Sequence, residues 1–191
     1  MTSMILADGT MGQMMEPVSL EEAAVESYDK SWAVTGTKCE RKHNIINSLS
    51  LVPEELEKLN FARFEKYNTI EENEVMFEEY MMDDAEICVS AFGIAARVAK
   101  NAIAMARAEG IKVGMIRPIT LWPFPKKAFK AADKVDTFIS VELSMGQMIE
   151  DIRASVEYKK PVVLCNRAGG MIPSPEQVLE AIREANKGGN K

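Results

Sequence analysis

From Ala85 onward the chain alternates short apolar runs with helical patterns, and this alternation constrains its fold more than any other feature. AEICVSAF, IKVGMIRPI, VDTFISVEL and KPVVLCNR read as strands. Between and after them lie IAARVAKNAIAMARAEG, a short helix near KKAFKAA, SMGQMIEDIRASVEY and SPEQVLEAIREANKGG, which read as helices. Near-continuous apolar strands are those covered on both faces. The expected fold is therefore α/β: a three-layer αβα arrangement around a mostly parallel sheet, with a helical N-terminal extension. Local signals punctuate the helices. Gly110 is placed to close the first. In the last, Ser174, Pro175 and Gln177 form a near capping box. In the third, Met145, Met148, Ile149, Ile152 and Val156 are expected on one face.

The first 84 residues are less regular. MILAD reads as a short strand without a nearby partner, followed by a turn at GTMGQMMEP. A lone strand is not stable, so residues 1–18 read as the remnant of a preceding domain or as a strand docking on a partner. Residues 19–84 read as a charged connector with helices. Ser19 is a candidate N-cap, and 27–52 has no clear period. A helix is expected from Pro53, with Leu56, Leu59, Arg63, Phe64 and Tyr67 at helical spacing. A second, over about 70–82, would use Val75, Met76, Phe77, Tyr80 and Met81 for packing. The tetrapeptide MGQM occurs at 11–14 and 145–148. Each copy follows an apolar run, with Thr10 and Ser144 as candidate caps. The flanks do not repeat, so it reads as a shared strand-to-turn device.

Composition excludes several classes of function. With 23 basic and 29 acidic residues the net charge is −6, which argues against a nucleic-acid surface. No apolar run is long enough to span a membrane. There is no signal-peptide pattern, and a cytoplasmic location is expected. The three cysteines Cys39, Cys88 and Cys165 have no metal or cluster spacing. Cys88 and Cys165 read as buried hydrophobes. His43, the single histidine, lies in a polar stretch unsuited to a triad.

In a doubly covered parallel sheet the loops at the carboxyl ends of the strands form the working edge. Here that edge holds Gly93, RPITLWPFP, ELSMGQ and NRAGG. Neither GxGxxG nor GxxxxGK[ST] occurs. Gly93 either opens an anion site at a helix start or simply makes a tight turn. Arg167 and the glycines after it either cradle a phosphate or carboxylate or form a plain loop. Arg117, fixed before Pro118, is a candidate ion-pair partner for Glu142. Trp122 and Phe124, set among prolines, suit a surface that a partner covers. Glu142 and Glu150 do not single themselves out as an acid–base pair.

AEICVSAFGIAARVAKNAIAMARAEGIKVGMIRPITLWPFP, VDTFISVELSMGQMIEDIRASV and NRAGGMIPSPEQVLEAI, in that order, resemble the transketolase C-terminal-like domain. The version is that of 2-oxoacid:ferredoxin oxidoreductases, in their α-type subunit of the ketoisovalerate, or branched-chain, class. RPITLWPFP and ELSMGQMIED are the most specific pieces. The resemblance implies that 85–191 is this domain, that 19–84 is an interdomain connection and that 1–18 ends a pyrimidine-binding domain. It implies oxidative decarboxylation of a branched-chain 2-oxoacid to an acyl-CoA. Thiamine diphosphate, magnesium and iron–sulfur clusters would carry the chemistry. The expected partners are a thiamine-binding β-type subunit, γ- and δ-type subunits and, indirectly, ferredoxin.

This chain lacks the GDG…NN stretch for the diphosphate, and it lacks cluster cysteines. It is therefore expected to bind no cofactor alone, to hold no catalytic or metal-ligating residue and to be inactive in isolation. Gly93, Arg117, Trp122, Phe124, Glu142, Gln147 and Arg167 are expected to form an edge facing a partner or neighbouring domain. A stand-alone scaffold of the same fold, or the tail of another thiamine enzyme, are the competing readings.

Overall fold

A computed structural model of the chain describes residues 4–7, 9–15, 17–20 and 27–189. These fall into two compact units, one within 1–13 and 67–191, the other within 14–66. In the larger unit a five-stranded sheet has the order β1-β3-β2-β4-β5. Its strands are β1 (Phe77–Tyr80), β2 (Ile87–Ser90), β3 (Val113–Pro118), β4 (Thr137–Glu142) and β5 (Val162–Asn166). Four of them run parallel, and β1 pairs antiparallel with β3 at one edge. The helices are α1 (Gly9–Gly12), α2 (Pro53–Asn73), α3 (Gly93–Ala108), α4 (Lys126–Ala131), α5 (Met148–Ser155) and α6 (Pro175–Gly189).

Strand period two sorts the core into two layers. Ile87, Val89, Val113, Met115, Ile139 and Val141 face one way, against α3 and α6. Cys88, Ile116 and Phe138 face the other, against α4 and α5. This is the expected αβα sandwich. In α3 the buried Ala95, Ala99, Ala102 and Ala106 recur at helical spacing, and their small side chains let the helix lie close to the sheet. The helix ends where Gly110 turns to φ +84°. The Gly110 amide donates to Arg107 O and the Ile111 amide to Ala106 O, the paired bonds of a Schellman motif. The capping box of α6 is also formed. The Ser174 amide donates to Gln177 Oε1 at 3.0 Å and the Gln177 amide to Ser174 Oγ at 3.3 Å. Gly114 on β3 has a steric reason. A Cβ there would lie 2.5 Å from Met81 O and 2.7 Å from Met82 Sδ.

The structure corrects the N-terminal half in four places. The second helix expected over 70–82 does not form. Instead α2 runs to Asn73, and β1 follows as an edge strand. Glu71 and Glu72 lie in the last turn of α2 with no basic residue beside them, and carboxylates there oppose the helix dipole. The next residues have a better partner in β3, where Glu78 faces Arg117 across the register. Second, α2 buries no residue, so the helical spacing of its apolar side chains does not mark a packed face. Leu56, Leu59 and Phe64 are exposed. Third, residues 4–7 form no strand. Fourth, Thr10 lies inside the single turn α1 rather than capping it. The acidic turn after Ser19 (21–26) lies outside the described residues. Cys88 is fully buried, as expected, whereas Cys165 is only partly so.

Candidate functional site

The strand-end edge is organised around Glu142, the last residue of β4. Only 4% of it is exposed. Its Oε1 accepts hydrogen bonds from Ser140 Oγ at 2.7 Å and the Ile149 amide at 2.9 Å. Its Oε2 accepts from Ser144 Oγ at 2.7 Å, the Gln147 amide at 2.8 Å and the Met148 amide at 3.2 Å. One carboxylate thus satisfies three of the amides that a helix start leaves without intrahelical partners, and its charge meets the positive end of the α5 dipole. Burial pushes the Glu142 carboxyl up. The hydrogen bonds from Ser144, the Gln147 amide, Ser140 and the Ile149 amide outweigh it and hold the group below the usual carboxylate range.

Ser144 therefore acts through Glu142 rather than as the cap itself. Met145 does not join the apolar face of α5. Gly146 takes φ +102° just after it, the helix begins at Met148, and Met145 is left 80% exposed. The Asn166 side chain ties the loop to β5 by donating to Ser144 O at 2.6 Å.

The other expected edge residues divide. Gly93 starts α3 at φ +57°, and no atom lies within 4 Å of where a Cβ would be. The turn itself, not a close neighbour, requires glycine there. Arg117 does not pair with Glu142. Since β2 lies between β3 and β4, the two are not on adjacent strands. Arg117 Nη1 donates instead to Glu78 at 3.0 Å, and Lys100 Nζ donates to the same carboxylate at 2.6 Å. The Lys100 bond, then Arg117, hold the Glu78 carboxyl below its usual value against the opposing effect of burial. Trp122 is exposed and meets Tyr67 edge-on, with ring centroids 5.5 Å apart. Phe124 is not a surface residue. It is 7% exposed and stacks on Phe129 at 5.3 Å, inside the layer beneath α4 and α5. The Arg167 amide donates to Glu142 O at 3.1 Å, and Gly169 and Gly170 then turn the chain with positive φ.

Glu142 and Gln147 come together in a cleft of ≈ 390 Å³ whose walls include Phe92, Leu121, Leu143, Met148 and Asp151. The sequence reading missed Asp151. Its signal is its place four residues after Gln147, on the same side of the helix start. Partial desolvation raises the Asp151 carboxyl, although the residue remains exposed. Lys126 opposes this, and Glu142 and Glu150 add to it.

The chemical means are few. Burial pushes the Cys88 thiol up to about 12, and the Cys165 thiol also lies above its usual value. Among the described residues no group of three or more histidine, cysteine, aspartate or glutamate side chains could hold a metal. Glu142 already fills the start of α5, so an anion such as a diphosphate does not fit at that helix end. Among the described residues no helix is long and apolar enough to cross a membrane.

Comparison with known proteins agrees with this architecture. Residues 85–178 match the family described as pyruvate:ferredoxin oxidoreductase core domain II. Over 182 residues the chain is 50% identical to ketoisovalerate oxidoreductase subunit VorB of Methanothermobacter marburgensis, covering 94% of this chain and 51% of that protein. It thus spans about half the length of that relative. The 2-oxoglutarate:ferredoxin oxidoreductase from Magnetococcus marinus, solved with 2-oxoglutarate, coenzyme A and succinyl-CoA bound, superposes with a TM-score of 0.61 at 25% identity. That match covers 71% of this chain and 24% of that one. A split-gene transketolase, solved as an inactive β4 tetramer, superposes with a TM-score of 0.51 at 18% identity. It covers 59% of this chain and 41% of that one, and bears on the fold alone.

Proposed function

We propose a function from the premise that this chain, through residues 85–178, belongs to the pyruvate:ferredoxin oxidoreductase core domain II family: it is a component of a 2-oxoacid:ferredoxin oxidoreductase of the ketoisovalerate class. Residues 85–191 are its transketolase C-terminal-like domain, to which β1 adds an edge strand. The complex oxidatively decarboxylates a branched-chain 2-oxoacid to an acyl-CoA in the cytoplasm. Thiamine diphosphate, magnesium and iron–sulfur clusters sit on partner subunits or on parts of the protein outside this chain. The chain contributes assembly rather than chemistry.

One observation carries the assembly role. Among the described residues the one carboxylate buried at the strand-end edge, Glu142, accepts five hydrogen bonds from its own strand, loop and helix, so it is not free to move a proton. Around it the edge presents large apolar side chains to the outside: Phe92, Leu121, Trp122, Leu143 and Met145. Clustered exposed apolar groups mark surfaces that partners cover.

Co-production with the thiamine-binding β-type subunit and affinity capture through that subunit tests this. The chain is expected to co-elute with it. A chain that elutes alone, with both proteins folded, would favour a free-standing module of the same fold.

A further inference from the structure

Among the described residues, Asp151 is the carboxylate of the strand-end cleft that accepts no side-chain hydrogen bond or ion pair. Glu142 is held by its five donors, and Glu150, beside Asp151 in sequence, pairs with Arg153 at 2.6 Å. Asp151 is exposed and forms no ion pair; Lys126 acts on it only through its field. The cleft's walls are largely apolar, with Ser144 and Gln147 on its Glu142 side. Phe92 is 40% exposed, Leu121 48% and Leu143 41%, with Met148 buried beneath them. A carboxylate at the rim of an apolar cleft matches one ligand chemistry, a cation carried on an apolar stem or beside an apolar side chain. Arginine and lysine side chains have that form.

We propose that this cleft receives a basic side chain of the thiamine-binding partner subunit, its cationic head on Asp151 and its stem or an apolar neighbour against Phe92, Leu121 and Leu143. The inference rests on the assembly role proposed above and specifies the contact that carries it. The cleft is an anchor of the kind that concentrates binding energy in an interface, an apolar pocket with one charge partner.

The test measures the dissociation constant of the chain for the thiamine-binding subunit at low and high salt. Wild type is expected to bind and to weaken as salt rises. Asp151→Asn is expected to weaken binding roughly tenfold and to flatten the salt dependence, and Asp151→Arg to weaken it roughly a hundredfold or more. Glu150→Gln removes the same charge from the neighbouring residue and is expected to change binding less than about twofold. Asp151 lies on the surface of α5, so circular dichroism of these variants is expected to match wild type. Wild-type binding that none of the Asp151 variants alters would overturn the cleft assignment and leave the assembly role standing. Equal losses for Glu150→Gln and Asp151→Asn would reduce the effect to general charge and also overturn it. Self-association of the chain that Asp151→Arg abolishes would assign the cleft to a second copy instead. No binding by wild type would overturn the assembly role and this inference together.

Discussion

Glu142→Ala is expected to destabilise the larger unit by about 3 kcal/mol or more, since each buried donor left without a partner costs about 1–3 kcal/mol. The change strands the Ile149 and Met148 amides and the Ser140 hydroxyl, all on buried residues. The Ser144 hydroxyl and the Gln147 amide lie nearer the surface and regain water. For a chain of this size the loss corresponds to roughly a 10 °C fall in melting temperature. Glu142→Gln keeps the shape but offers an amide nitrogen where only donors point, so it is expected to retain about half of the stability that alanine loses. The pH dependence has a definite sign. The folded carboxyl lies below its usual value of 4.5, so its contribution is complete above that pH and fades as pH falls through the lower folded value. Urea unfolding from neutral pH down through the acid range will show this slope in wild type and a flatter one in Glu142→Gln. A cost of under about 1 kcal/mol for Glu142→Ala would contradict the capping role.

Phe129→Ala is expected to cost about 3–5 kcal/mol. Phe129 is 2% exposed and bridges two other rings, Phe124 stacked at 5.3 Å and Phe138 tilted at 5.8 Å. Its removal opens a cavity between α4 and β4 and ends both aromatic pairs, each worth about 0.5–1.5 kcal/mol beyond burial. Phe129→Leu fills part of the space and is expected to cost about half as much. Thermal unfolding of both variants checks the order. Equal melting temperatures for wild type and Phe129→Ala would mean that this layer is not packed as described.

The αβα layering was legible because it is written in local patterns. Apolar runs of strand length and the alanine spacing of α3 need no knowledge of distant residues. The Gly110 stop and the Ser174–Gln177 box are equally local. What escaped the sequence reading depends on which elements become neighbours. The stretch at 75–81 fits a helical period as well as a strand, and only pairing with β3 decides for β1. Pairing Arg117 with Glu142 assumed adjacent strands, and the strand order places β2 between them. Phe124 read as surface because of its prolines, but the loop turns it inward onto Phe129. Glu142 ends β4, and its role as a cap was hidden, because its amide partners lie five to seven residues along the chain. The two MGQM copies separate on the same ground. Residues 11 and 12 end the single turn α1, whereas 145–147 form the loop that Glu142 organises into α5.

The central claim, an edge that assembles the complex without performing its chemistry, is tested most directly by turnover per assembled complex. Trp122→Ala and Gln147→Ala change exposed edge side chains while leaving the Gln147 amide free to donate to Glu142. With a branched-chain 2-oxoacid, CoA and a low-potential dye, both variants are expected to lower the yield of complex. The kcat per assembled complex is expected to stay within about twofold of wild type. A fall of about tenfold or more in kcat with assembly intact would show that this edge takes part in the reaction and would contradict the account.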